Sequence, residues 1–188
     1  MRKWRSNLSQ VKNKRRKAKL TERDTYNKKT LGNYRGYIFR QDAERIKDLL
    51  YGCRELWYNG CGAVAAYNVM FTLGKRIDLC DILLEFELNR VGNLNAIFGT
   101  SSRRLPKFFT AHNIEFTTIK RLEEYIRRMG EFDISIIFIR AKNSPMLHYY
   151  CILKRGENDF VTINQHYQDT FGKPDWDNHF IKAFCFKK

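Results

Sequence analysis

The chain has 188 residues, enough for one domain with a proper core plus a tail. An apolar content of 43% with 14% aromatics excludes a disordered chain, and no apolar run reaches the length of a membrane span. The formal charge of +15 is unevenly spread, because residues 1–35 hold 13 Lys/Arg against only Glu22 and Asp24.

That first segment, MRKWRSNLSQVKNKRRKAKLTERDTYNKK, has almost no apolar periodicity, and its run from Lys12 to Lys19 repels itself when compact. The expectation is a basic, flexible N-terminal arm over 1–35, followed by a domain over 36–188. No apolar segment follows the positive start as in a secretory signal, and the Lys/Arg block lacks the spaced amphipathic pattern of an organelle-targeting peptide. The cytoplasm is the expected location. The arm suits a polyanion: nucleic acid bound through its phosphates, an acidic partner protein or an anionic membrane surface. No helix-turn-helix, zinc finger or aromatic-strand motif accompanies it.

QDAERIKDLL places Ala43, Ile46, Leu49 and Leu50 at helical spacing, which predicts a short amphipathic helix. Gly52, Asn59, Gly60 and Gly62 mark irregular backbone before a helix predicted over 61–73, apolar nearly all round and stopped at Gly74. A second helix begins near Asp78 or Asp81, and a third after Ser101 or Ser102 with Pro106 in its first turn. The period then changes. Residues 114–119 alternate like a strand, 121–129 form a short helix, and DISIIFIR (133–140) is a β-branched central strand. Strands over 147–155, 159–164 and 180–188 follow, the first two joined by a hairpin at RGEND. Helices first and antiparallel strands later predict an α+β fold.

Five cysteines with no close pair read as free thiols, and the four histidines never share a short ligand spacing with a cysteine. Neither a metal nor another cofactor is expected. Cys61 opens the apolar helix between two glycines, where unpaired N–H groups and the helix dipole favour a thiolate and the same N–H groups suit an oxyanion. Taken alone, it reads as a packed thiol beside a tight turn. His148 opens a strand, and antiparallel pairing across RGEND makes Asn164 its neighbour, the arrangement in which an amide orients an imidazole beside a nucleophile. His166 and His179 are loop alternatives, and Gln165 replaces Asn164 only if the register slips by one. Asn68 reads as satisfying nearby backbone groups. Trp57 and Tyr58 either line a substrate groove or anchor the helix start.

Cys-Gly at the head of a small-residue helix (NGCGAVAAYN), then a histidine opening a strand (HYYCIL), then an Asn ending the next strand, resembles the papain-like cysteine peptidases. The resemblance is greatest to the bacterial branch that cleaves leader peptides after a double glycine, with its free-standing relatives, and covers roughly residues 50 to 165. It implies a papain-like fold, with the nucleophile at the start of a central helix packed on an antiparallel sheet. It implies Cys61 as nucleophile, His148 as general base and acid, and Asn164 as orienting residue, in a hydrolase that cleaves an amide or peptide bond through a Cys61 thioacyl intermediate. An acyltransferase, deamidase or transglutaminase-like enzyme uses the same intermediate with another acceptor. Glu55 stands where the family places an oxyanion-donating Gln, and a carboxylate only accepts hydrogen bonds, so Asn59 is the candidate donor from a shifted turn, with Gln41 available but remote. Glu55 also supports a reading from another class, a catalytically weak relative acting as a binding module whose basic arm contacts nucleic acid or an acidic partner.

Overall fold

Residues 134–140, the run ISIIFIR, are buried at every position except the last, because this strand is the middle of a sheet covered on both faces. The computed structural model describes residues 2–93, 96, 99–142, 145–164 and 179–188. Its elements in chain order are α1 (Arg2–Leu31), β1 (Leu50–Tyr51), β2 (Arg54–Glu55), α2 (Leu56–Asn59), α3 (Cys61–Thr72), α4 (Leu79–Leu88) and α5 (Leu105–Ala111). They continue with β3 (Thr117–Ile119), α6 (Leu122–Arg128), β4 (Ile134–Arg140), β5 (Leu147–Lys154), β6 (Phe160–Ile163) and β7 (His179–Phe186). The class is α+β. The main sheet is antiparallel in the order β3-β7-β4-β5-β6, and β1 and β2 form a separate two-stranded hairpin.

The two sheet faces carry different cores. Ile136, Phe138, Tyr149, Cys151, Ile163 and Phe184 share one with α3 and α4, while Ile137, Ile139, Tyr150, Ile152 and Cys185 share the other with Tyr125 of α6. Every residue of α3 except Phe71 is buried, as its all-round apolar sequence requires. Its end is a Schellman turn: Lys75 N–H donates to Met70 C=O at 2.9 Å and Gly74 N–H to Phe71 C=O at 3.1 Å. Gly74 adopts the left-handed φ of 69° that such a turn requires.

Two expected segments differ. No helix forms over QDAERIKDLL; residues 41–48 make successive turns, with Arg45 at a left-handed φ of 68°. Ile46 and Leu49 are still buried. Tertiary bonds at the two ends override the local periodicity, since the Gln41 and Leu50 N–H groups donate to the side chains of Asn164 and Asn27.

Where the sequence reads as a flexible arm, residues 2–31 are one helix, and its second half lies against α4. Leu20, Asn27 and Leu31 are buried on one stripe, Arg23 pairs with Glu87, and Lys28 bridges Asp24 and Asp81 at 3.0 Å each. Lys and Arg are good helix formers, and neither Gly nor Pro interrupts the chain before Gly32. Charge density therefore did not prevent helix formation where an apolar stripe gave the helix a seat. Among the described residues, no helix is long and apolar enough to cross a membrane.

Candidate functional site

Cys61 is the first residue of α3, and the glycines around it are packing requirements. A Cβ on Gly60 meets the Leu56 side chain at 2.2 Å, and one on Gly62 meets Thr100 Cβ at 2.4 Å. The helix start does supply donors, since the backbone N–H groups of Cys61, Gly62 and Tyr149 all favour the thiolate. Burial outweighs them and pushes the thiol up to about 11. The sulfur is therefore protonated at neutral pH. Beside it lies a cavity of about 320 Å³, walled by Thr100, Ser101, Ser102, Phe138, Leu147 and Tyr149.

His148 and Asn164 do come together at the open end of the β5–β6 hairpin. The contact runs through the Asn164 backbone, with His148 Nε2 2.6 Å from its carbonyl oxygen. A carbonyl only accepts, so Nε2 carries the proton. The Asn164 amide is used elsewhere: its Oδ1 accepts from Gln41 N–H at 2.9 Å and its Nδ2 donates to Gln41 Oε1 at 3.0 Å. Gln41 in turn donates from Nε2 to the Trp57 carbonyl at 2.5 Å. A buried amide pair thus ties the end of the hairpin to the short helix preceding Cys61. Asn164 sits at a left-handed φ of 64°, a conformation Asn tolerates.

His148 and Cys61 are not brought together. Side chains alternate along β5, and the register pairs Tyr149 with Phe138 and His148 with Ile139. The first pair stacks at 4.5 Å on the α3 face, in the core that contains Cys61. Ile139 belongs to the opposite core, so His148 projects away from the thiol. Tyr149 takes the place beside Cys61, its hydroxyl donating to the Thr100 carbonyl at 3.2 Å. Burial raises that phenol well above its ordinary range, which leaves it no basic character at neutral pH.

Asn59 is buried and spends its amide donors on the carbonyls of Tyr51 (3.1 Å) and Ala96 (2.6 Å), leaving none for an oxyanion. Glu55 is exposed at the end of β2. Trp57 and Tyr58 are 48% and 54% exposed, in edge-to-face contact, and line no part of the Cys61 cavity. Asn68 makes a reciprocal pair with the backbone of Ile38, at 2.9 and 3.0 Å. His179 is exposed at the start of β7, and Gln165 and His166 lie outside the described residues. Among the described residues, no group of three or more His, Cys, Asp or Glu side chains is arranged to hold a metal. Tyr149 is the site residue that sequence reasoning passed over, and Gln41, a remote oxyanion candidate in the sequence, is instead the partner of Asn164. Strand parity gives a signal for Tyr149, whereas the place of Gln41 depends on a contact 123 residues away.

Comparison with protein-family models, with curated proteins and with solved structures found no match.

Proposed function

We propose that the chain is a papain-like domain acting as a binding module for polyanions, with Cys61 serving packing more than chemistry. The papain-like reading is supported by a buried small-residue helix headed by Cys61, lying against an antiparallel sheet whose hairpin ends on His148 and Asn164. The observation that carries the binding-module reading is the parity of β5, which turns His148 away from the thiol and puts Tyr149 beside it. With no base beside it among the described residues and with burial outweighing its N–H donors, the thiol stays neutral and slow. The basic helix α1, held on the domain by its second half, supplies the surface for the partner.

One observation favours a second reading, a cysteine hydrolase or acyltransferase working through a Cys61 thioacyl intermediate. The cavity of about 320 Å³ beside the sulfur has room for an acyl group.

Iodoacetamide labelling separates the two in a Cys53→Ser background, because Cys53 is the exposed thiol among the five cysteines. For the binding module, Cys61 in the native chain labels at least about tenfold slower than an unperturbed thiol at neutral pH, and His148→Ala leaves the rate unchanged. Brisk labelling below about pH 8 that His148→Ala abolishes establishes the hydrolase reading instead.

A further inference from the structure

Six cations line one concavity on the protein: Arg15, Arg16, Lys19 and Arg23 from α1, and Arg90 and Arg104 from the connection between α4 and α5. The groove has a volume of about 700 Å³ and, among the described residues, contains one carboxylate, Glu87. That carboxylate is already engaged, with Arg23 on Oε2 and the Gly52 N–H on Oε1 at 3.0 Å. Arg16 donates to the Glu87 carbonyl at 2.7 Å, and Arg104 to the Arg90 carbonyl. These bonds fix the walls. Among the described residues, the side chains of Arg15, Lys19 and Arg90 have no ion-pair partner, and all three are exposed.

We infer that this groove binds the phosphodiester backbone of a nucleic acid, without reading its sequence. Arg15, Lys19 and Arg23 are four residues apart, which sets them on one stripe of α1 at steps of about 6 Å, a ladder for successive anions. Arg90 faces the ligand from the other wall. A concave surface of one sign focuses the field, and its guanidinium forks match phosphate oxygens two at a time. Among the described residues the groove holds five arginines to one lysine, in a chain where the two are near parity.

The lining argues against other anionic partners. Among the described residues Leu20 is its one large apolar side chain and is 5% exposed, so these residues offer nothing to enter a bilayer. A stable acidic protein interface draws on aromatic or apolar anchors at its centre, and among the described residues the groove offers only the buried Leu20. No aromatic residue is among the described residues of the lining, so the contacts it offers are to the backbone. The inference rests on the polyanion reading above and adds the site and the ligand class to it.

The test is fluorescence anisotropy of the full chain with a labelled oligonucleotide of about 20 nucleotides, as single-stranded DNA, single-stranded RNA and duplex, across NaCl concentrations. Lys19→Gln, Arg15→Gln and Arg90→Gln are each expected to weaken binding about threefold to tenfold irrespective of sequence. Each also lowers the duplex log–log salt slope by about 0.9. Lys107→Gln, an equal charge change outside the groove, is expected to change affinity less than about twofold. If the oligonucleotides bind and the groove variants behave like Lys107→Gln, the groove is not the site, although the polyanion reading stands. Absence of oligonucleotide binding at low salt overturns the inference, and absence of labelled polyglutamate binding as well overturns the polyanion reading. Competition by polyglutamate as strong as by unlabelled oligonucleotide identifies an acidic protein as the ligand class and overturns the inference.

Discussion

Gly62 allows α3 to start where it does, because its α-carbon lies against the Thr100 side chain with no room for a methyl group. Alanine normally gains about 1 kcal/mol over glycine inside a helix. Overpacking at a rigid contact costs about 1 to 3 kcal/mol, and a β-carbon 2.4 Å from Thr100 Cβ is a severe case. Gly62→Ala is therefore expected to be destabilising by about 1 to 2 kcal/mol in urea unfolding, and to cost less in a Thr100→Gly background, where the colliding side chain is gone. The same reasoning separates the two explanations of the GCG triplet. Read as sequence, its glycines suit a nucleophile's turn; in the fold, Gly60 and Gly62 answer to Leu56 and Thr100. Neither neighbour is visible as a neighbour in the sequence.

Helix α1 is joined to the domain by an asparagine that behaves like a strand partner. Asn27 Nδ2 donates to the Leu50 carbonyl at 2.9 Å while the Leu50 N–H donates to its Oδ1 at 2.7 Å. Removing that amide leaves two backbone groups with poor access to water. Asn27→Ala is expected to lower stability by about 2 kcal/mol, measured as a shift of the urea midpoint at unchanged slope. A flexible arm predicts no shift at all, so the measurement also decides between the two descriptions of residues 1–35. The helix was hard to read because its seat is narrow. Leu20 and Leu31 stand eleven residues apart among lysines and arginines, and the polar Asn27 carries the contact between them. The second half of the chain was more legible. Its strands read correctly to within a residue or two where β-branched and aromatic side chains cluster, as in ISIIFIR and FIKAFCF, because burial on both faces, in ISIIFIR up to its last residue and in the second half of FIKAFCF, leaves little choice of conformation there.

Over the whole molecule, buried thiols bias the pH response in one direction. Burial raises Cys61 and Cys185 to about 11 and Cys80 to about 12, and it raises Cys151 further. An unfolded cysteine ionises at roughly 8.5. Below that pH both states hold the proton and the contribution is fully present. Between it and the folded values only the folded chain holds the proton, so stability falls as pH rises. The slope is about 1.4 kcal/mol per pH unit for each thiol in that window. Urea midpoints are thus expected to be flat up to about pH 8 and then to fall steeply, with Cys61→Ala removing one thiol's share of the slope. A midpoint insensitive to pH up to about 10 contradicts the burial of these groups.

The pairing of residues 138 and 139 with 149 and 148 has an evolutionary consequence. His148 and Tyr149 are joined by one peptide bond yet occupy separate compartments, and a one-residue slip of β5 exchanges which compartment each enters. The length of the connection from β4 to β5 therefore acts as a chemical selector. An insertion or deletion of one residue there decides whether an imidazole or a phenol faces the thiol, while the order of Cys, His and Asn along the chain stays the same. Chains sharing that order can thus divide into working enzymes and silent scaffolds through loop length alone, with every motif residue retained.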